Sequence, residues 1–477
     1  MKRSILLAVI SILQFFTSYG QYDWDNVPIP ANAGAGKTWK LQTAASDDFN
    51  YTFNPTNNVV DFGPNGNMKW YNKYHNRPNG QPNNFEGPGP TKWMQNHVAV
   101  SGGNLNIWAS RIPGATKSFT GSNNTPISRP ETRAGCITNK TRVKYPVFVE
   151  ARVKVMNSTL ASDIWLLSPD DTQEIDIIEC YGGPGNDDRN SFFASKIHLS
   201  HHVFIRPPNF KDYQPADLNS WWGKNGVTQW GGKTIRIGVN WVSPTRLEYF
   251  VDGQMVRILD NDAVQTRLAD GTWQYTYPAG VTSTGVNGQL IKENGYQKMN
   301  IASSLSDAKN KSNISVIDPF NYLNNGRKLD KEMDIIINVE DQSWQAEAYR
   351  SATTEELSVF NNNNLLVDWI RVYKPVNASA ANSAETTSTV EKPASFEPQG
   401  QPTEKLQVYP VPATDVLNIS QSDYVEAKVY NLKGWVMLRK DVIDQKIDVS
   451  SLKKGIYILE ITKATGETVK QKIVISE

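Results

Sequence analysis

Cysteine is nearly missing from this chain: Cys136 and Cys180 are the 2 among 477 residues. So few exclude a disulfide scaffold and any cysteine-built zinc cluster. One disulfide or two buried thiols both remain open. Net charge is equally scant, with 49 Lys and Arg against 48 Asp and Glu, or +1. That balance provides no basic field for nucleic acid and no acidic excess of the kind that keeps chains disordered. Long apolar runs are also lacking. The stretch from Ile5 to Phe16 is too short to span a bilayer. It follows Lys2-Arg3 and precedes Ser18-Tyr19-Gly20, so residues 1–20 read as an export signal. No later stretch has the length of a membrane span. The expectation is an exported, soluble monomer.

Aromatic rings, by contrast, are abundant: 14 Trp, 19 Tyr and 16 Phe. A large β-protein buries many of these, and sugar-binding clefts expose some. Convincing long helical periods are missing. Residues 148–155 alternate, with Val149, Ala151, Val153 and Val155 on one face and mostly charges on the other. Residues 247–251 and 254–258 flank Asp252-Gly253, a hairpin signature. Further strands are expected at 104–109 and 365–373. Many strands with Gly, Pro and Asn between them predict an all-β, two-sheet sandwich over 21–375. The Asn- and Gly-rich stretches 72–90, 120–130, 182–190 and 280–296 read as rim loops. Residues 376–403 are rich in Ala, Ser, Thr, Pro and Glu and read as a linker. Residues 404–477 read as a separate small β-sandwich.

The sharpest chemical signal is Glu174-Ile-Asp-Ile-Ile-Glu179. Carboxylates among β-branched residues predict a strand. Glu174 and Asp176 share a face, whereas Glu179 would point away in a regular strand. One extra residue, a bulge at Ile177 or Ile178, brings all three acids to one side. The two Glu Cα atoms then lie roughly 13 Å apart, and inward-leaning side chains approach the separation of about 5–5.5 Å that retaining glycosidases use. One carboxylate must be ionised to attack the anomeric carbon, and the other must carry a proton for the leaving oxygen. Asp176 is placed to tune Glu174.

These residues, with Asp163-Ile-Trp-Leu-Leu-Ser, Tyr181-Gly-Gly, His198-Leu-Ser-His-His and Val367-Asp-Trp-Ile-Arg-Val-Tyr, closely resemble glycoside hydrolase family 16. Within that family the resemblance is to the β-agarases and β-porphyranases of marine Bacteroidetes, and it covers nearly all of 21–375. It implies a jelly-roll β-sandwich with an open cleft on its concave sheet. It implies a secreted, endo-acting, retaining hydrolase of red-algal galactan, agarose before porphyran, that needs no cofactor. Glu174 would be the nucleophile, Asp176 its helper and Glu179 the acid/base. Trp165 would stack on sugar, with Phe85 as a further ring and Trp221-Trp222 as a platform of which one member is core, Trp222 being taken as the cleft ring. Asp171, Arg206 and Glu340 would hydrogen-bond hydroxyls.

Three departures bear on substrate choice. Phe85 stands where relatives often carry Trp, and Ile235 where they often carry His. Arg129 and Arg133 lie in an extra loop and are candidates for sulfate esters. His198, His201 and His202 suggest a metal at first sight, but alternation puts His201 on the other face, and packing or sugar contacts are expected instead. The resemblance also implies a structural calcium, with Asp48 and Asp368 as ligands. The C-terminal unit resembles the sorting domain of the type IX secretion system, whose machinery would then be a partner. Its only Trp, Trp435, argues against a sugar-binding module.

Overall fold

The computed structural model describes residues 22–55, 61–74, 85–184, 187–282, 288–360 and 363–378. In the C-terminal unit it describes 408–409, 413–420, 424–431, 436–442, 445–463 and 468–476. The export signal, most of the linker and Trp435 lie outside the described residues. Two compact units result, 1–388 and 389–477.

The alternating segment forms strand Val147–Lys154, and Val149, Ala151, Val153 and Val155 are all fully buried. Asp252 and Gly253 take φ of 50° and 76° and join Arg246–Val251 to Gln254–Asp260. Positive φ at both positions is what a two-residue turn matching the strand twist requires. Helices are short. Among the described residues the longest is Leu305–Lys311, capped by Ser304, which accepts from the Asp307 amide.

Two sheets pack face to face, antiparallel throughout except where Thr91–Trp93 runs parallel to Thr132–Ala134. One has 13 strands, with Thr234–Ser243, Val147–Lys154 and Asn364–Asn377 adjacent at its centre. The other has ten and carries the acidic motif. Its order runs Lys211–Tyr213, His201–Ile205, Gln173–Cys180, Ala161–Leu167, Asp334–Glu340, Cys136–Asn139, Trp70–Tyr71, Asp61–Phe62. Ile197–His198 and Trp221–Trp222 flank the motif strand. Ile164, Leu166, Ile175, Ile335 and Ile337 from this sheet meet Val149, Val153, Ile237 and Val239 from the other in one core. Each such side chain contributes about 1.5–3 kcal/mol by leaving water. The opposite face of the motif sheet is left for polar groups.

The last strand of the sandwich, Asn364–Asn377, runs two residues past the expected boundary at Pro375. Lys37–Leu41 pairs along it, with Lys37 opposite Asn377, so residues 376 and 377 are strand rather than linker. A drop in apolar content does not reveal such edge pairing, because it is made by backbone groups. Of the rim loops, 120–130 belongs to a hairpin of Thr116–Thr120 and Pro126–Pro130. The C-terminal unit has a three-stranded and a four-stranded sheet around Leu417, Val429, Leu459, Ile461 and Ile473.

Candidate active site

In the motif strand, Gln173–Cys180, Glu174 lies opposite Leu167, Asp176 opposite Trp165, and Glu179 opposite Asp163. Ile178 faces Ile164, so the register slips and Ile177 is the extra residue. Ile177 and Ile178 are both fully buried in the core. Two successive apolar residues on the inner side use up the odd step, and Glu179 returns to the face of Glu174 and Asp176. The bulge expected from spacing is therefore present, and it unites the three acids.

Each end of the triad has its own partners. Tyr181 donates to Glu179 Oε1 at 2.5 Å, and His198 Nδ1 lies 2.5 Å from Glu179 Oε2. The His198 ring stacks on Trp221 at 4.1 Å, which fixes its plane. At the other end, His202 Nδ1 lies 2.8 Å from Asp212 Oδ1, directing Nε2 to Glu174 Oε1 at 3.9 Å and Asp176 Oδ2 at 3.7 Å. Glu174 and Asp176 hydrogen-bond each other. Ligand atoms of Glu174, Asp176 and His202 lie within 4.8 Å of one another, close enough to hold a small divalent cation.

Burial dominates the electrostatics. It pushes Glu174 well above the usual carboxylate range, helped by the Asp176 charge and opposed by His202. Asp176 rises to about 6, from burial first, with His202 opposing and Glu179 adding. Burial works on Glu179 in the same direction. There the charge of His198 and hydrogen bonds from His198 and Tyr181 outweigh it, and Glu179 falls below its ordinary value. His202 goes the other way from its burial: Asp212, Glu174 and Asp176 hold it well above the usual imidazole value, as an imidazolium.

Trp165 is half-buried on the acid face, and its Nε1 donates to Asn338 Oδ1 at 2.6 Å. The Asn338 amide in turn reaches Asp163 Oδ2 at 3.2 Å and Glu340 Oε2 at 3.0 Å. Burial, then the Glu179 charge, lifts Glu340 to about 8. Asp171 and Arg206 meet each other, the guanidinium donating to the Asp171 carbonyl and lying 4.3 Å over the Phe204 ring. Arg206 also pulls on Glu174, so this pair sits at the nucleophile end. Phe85 is half-buried in a turn, its carbonyl accepting from the Trp93 amide.

Several expectations need correction. Trp222 is a core residue, 6% exposed, with Nε1 on the Arg267 carbonyl and its ring on Trp230. The half-buried ring beside the acids is Trp221, because strand alternation turns neighbours to opposite faces. Ile235 is buried opposite Val153, so no subsite contact is lost there. Arg129 is committed to the Ala346 carbonyl and the Tyr349 ring, and Arg133 to Glu131. Asp368 is ion-paired with Arg152, and Asp48 accepts from the Asn50 amide at 3.5 Å. A guanidinium already supplies the positive charge at Asp368, so this pair does not fit a calcium site. Cys136 and Cys180 are buried free thiols rather than a disulfide.

Sequence reasoning did not assign roles to Tyr181, Asp212, Asn338 or Asp163. One signal was readable: Asn338 is two residues from Glu340, which places both on one face.

Comparison with known proteins agrees with this geometry. The family described as "Beta-porphyranase A-D, GH16 domain" matches residues 39–277. "Secretion system C-terminal sorting domain" matches residues 407–476, so the chain carries a secretion address and is secreted or cell-surface. β-Agarase D of Zobellia galactanivorans is 96% identical over 477 residues, 100% of both chains. A β-agarase of Phocaeicola plebeius is 42% identical over 381 residues, 78% of this chain and 98% of the relative. The crystal structure of the catalytic domain of the Zobellia β-agarase D aligns with a TM-score of 0.73 at 96% identity, over 75% of this chain and 100% of that one. With the triad, its jelly-roll sandwich and these matches in hand, the chain belongs to glycoside hydrolase family 16.

Proposed function

We propose that this chain is an endo-acting β-agarase that cleaves β-1,4-galactosidic bonds by double displacement, with retention. The observation that carries this reading is the bulge at Ile177, which sets Glu174, Asp176 and Glu179 on one polar face. A galactan chain lies across the motif sheet and stacks on Trp165. Glu174 attacks the anomeric carbon while Glu179 protonates the departing oxygen. The C–O bond breaks and a glycosyl ester forms on Glu174. Water then attacks the same carbon, Glu179 takes its proton, and Glu174 leaves as a carboxylate. Two carboxyl groups and water balance the reaction, so no cofactor is required.

In the resting site the pKa directions run the other way, with Glu174 raised and Glu179 lowered, so these roles require a proton to move onto Asp176 and another onto Glu179. Glu174 and Asp176 act as a pair that shares a proton. With the proton on Asp176, Glu174 is ionised and nucleophilic, and the His202 imidazolium stabilises that state. At the other end, the 2.5 Å contact of His198 and Glu179 makes a dyad that shares a second proton. When the proton sits on Glu179, the dyad delivers it to the leaving oxygen.

Agarose is favoured over porphyran because the relatives above are β-agarases and because Arg129 and Arg133 are committed internally. The family description names porphyranases, which keeps a sulfated galactan as the second reading. The test is to incubate the enzyme with agarose, porphyran, κ-carrageenan and laminarin and measure new reducing ends. Agarose should react fastest. A faster reaction on porphyran overturns the neutral-substrate reading.

A further inference from the structure

Strand register places a histidine beside the two acids at the nucleophile end. Glu174 and His202 are directly opposed on neighbouring antiparallel strands, so they point to the same side of the sheet. Asp176 lies two residues along from Glu174, on that same face. Asp212 is opposite Phe204, which is two residues from His202, so Asp212 joins them. Backbone pairing, rather than loop conformation, gathers these four side chains.

Their polar atoms converge. His202 Nε2 lies 3.7 Å from Asp176 Oδ2 and 3.9 Å from Glu174 Oε1. A four-coordinate ion with bonds of about 2.0–2.2 Å holds neighbouring ligand atoms about 3.4 Å apart, so closing on one needs shifts of roughly 0.3–0.5 Å. Asp176 is 6% exposed, and its Oδ2, which faces His202 Nε2, has no hydrogen-bond partner among the described residues. A buried acceptor without a donor is costly, and a cation at this point would satisfy it. On the far side of the ring, His202 Nδ1 lies 2.8 Å from Asp212 Oδ1. A carboxylate behind the imidazole is the arrangement that orients histidine ligands at metal centres.

We propose that Glu174, Asp176 and His202 form an inhibitory site for a first-row transition cation, zinc or cobalt(II), which the free enzyme binds in place of the sugar. The ion takes one carboxylate oxygen from each acid and the Nε2 lone pair of His202. The imidazolium proton and the proton shared by the acids pass to solvent. Water fills the remaining positions. One imidazole nitrogen and two carboxylates suit zinc and cobalt, whereas calcium and magnesium call for six or more oxygens and are poorly served. A Glu174 oxygen bound to a cation has no lone pair to offer an anomeric carbon. That inhibitory consequence rests on the nucleophile assignment given above, and the binding does not.

The test titrates cobalt chloride into the untagged, metal-free full chain and reads the visible d–d absorption of the bound ion. One cobalt per chain should bind. Zinc chloride should displace it, excess calcium chloride should not, and agaro-octaose should weaken it. His202→Gln should abolish the bands, and Asp212→Asn should weaken binding about 10–100-fold, the usual loss when the group behind a ligating histidine is removed. Circular dichroism checks the fold, and Asp212→Asn keeps the test open should His202→Gln not fold. No bands in the wild type, or bands unchanged in both variants, overturns the proposal. Release of reducing ends from agarose is then measured against zinc chloride, and the inhibition should be relieved by more substrate. Full turnover at low substrate with the site saturated overturns the inhibitory role and the nucleophile assignment together. A metal-free wild type inactive on agarose sinks the galactan reading, while the cobalt spectrum still decides the site.

Discussion

His198 Nδ1 lies 2.5 Å from Glu179 Oε2. Burial pushes the Glu179 carboxyl up most strongly of any single cause, and this contact, joined by the Tyr181 hydrogen bond, outweighs it and holds Glu179 below its ordinary value. Replacing His198 with Gln should raise the titration of the Glu179 carboxyl, readable by carbon NMR. Turnover should fall about a hundredfold, the usual scale for a damaged proton transfer, with KM little changed. A Glu179 that titrates unchanged in the variant contradicts the dyad.

The two Glu residues should be separable from their helper. Glu174→Gln and Glu179→Gln are each expected to cost at least a thousandfold in kcat (roughly), since covalent attack and proton transfer are both needed. Asp176→Asn should cost less. Circular dichroism on the same samples checks that the fold is kept. Asp176→Asn as damaging as both Glu variants would make Asp176 a direct participant.

Glu340 links the site to stability. It ionises at 4.5 when unfolded and at about 8 in place. Between those values the folded state binds more protons, so stability falls as pH rises through that window. Melting temperatures from pH 5 to 8 should decline less steeply for Glu340→Gln than for wild type. Parallel slopes would show that Glu340 ionises normally when folded. The slope is the readout, because Gln also disturbs the contacts with Asn338 and Gln342.

Adjacent tryptophans should behave oppositely. Trp222→Ala opens the core and should cost about 3–5 kcal/mol of stability. Trp221→Ala should leave stability nearly intact, because its ring is half-buried, yet lower turnover by freeing the His198 ring. Thermal melts and kinetics on both variants decide it. Equal melting losses would contradict the assignment of opposite faces.

The sandwich and the acidic face were legible because period-two alternation and a five-residue spacing report directly on strand geometry. The Asp252-Gly253 turn was legible because few residues tolerate positive φ at both positions. What was hidden depends on contacts distant in sequence. Asn338 meets Trp165 and Asp163 only after the sheet forms. Arg129 and Arg133 looked available for sulfate because their partners, the Ala346 carbonyl and Glu131, are not marked in the local pattern. Trp222 was chosen over Trp221 because the pair sits in a two-residue strand, too short for its alternation to be read.

A double displacement through Glu174 fixes the anomeric configuration of the first product. Proton NMR of the enzyme acting on agarose oligosaccharides, recorded before mutarotation, should show the new reducing end as the β-anomer. An α-anomer appearing first would mean a single displacement by water and would contradict the assignment of Glu174 as the nucleophile.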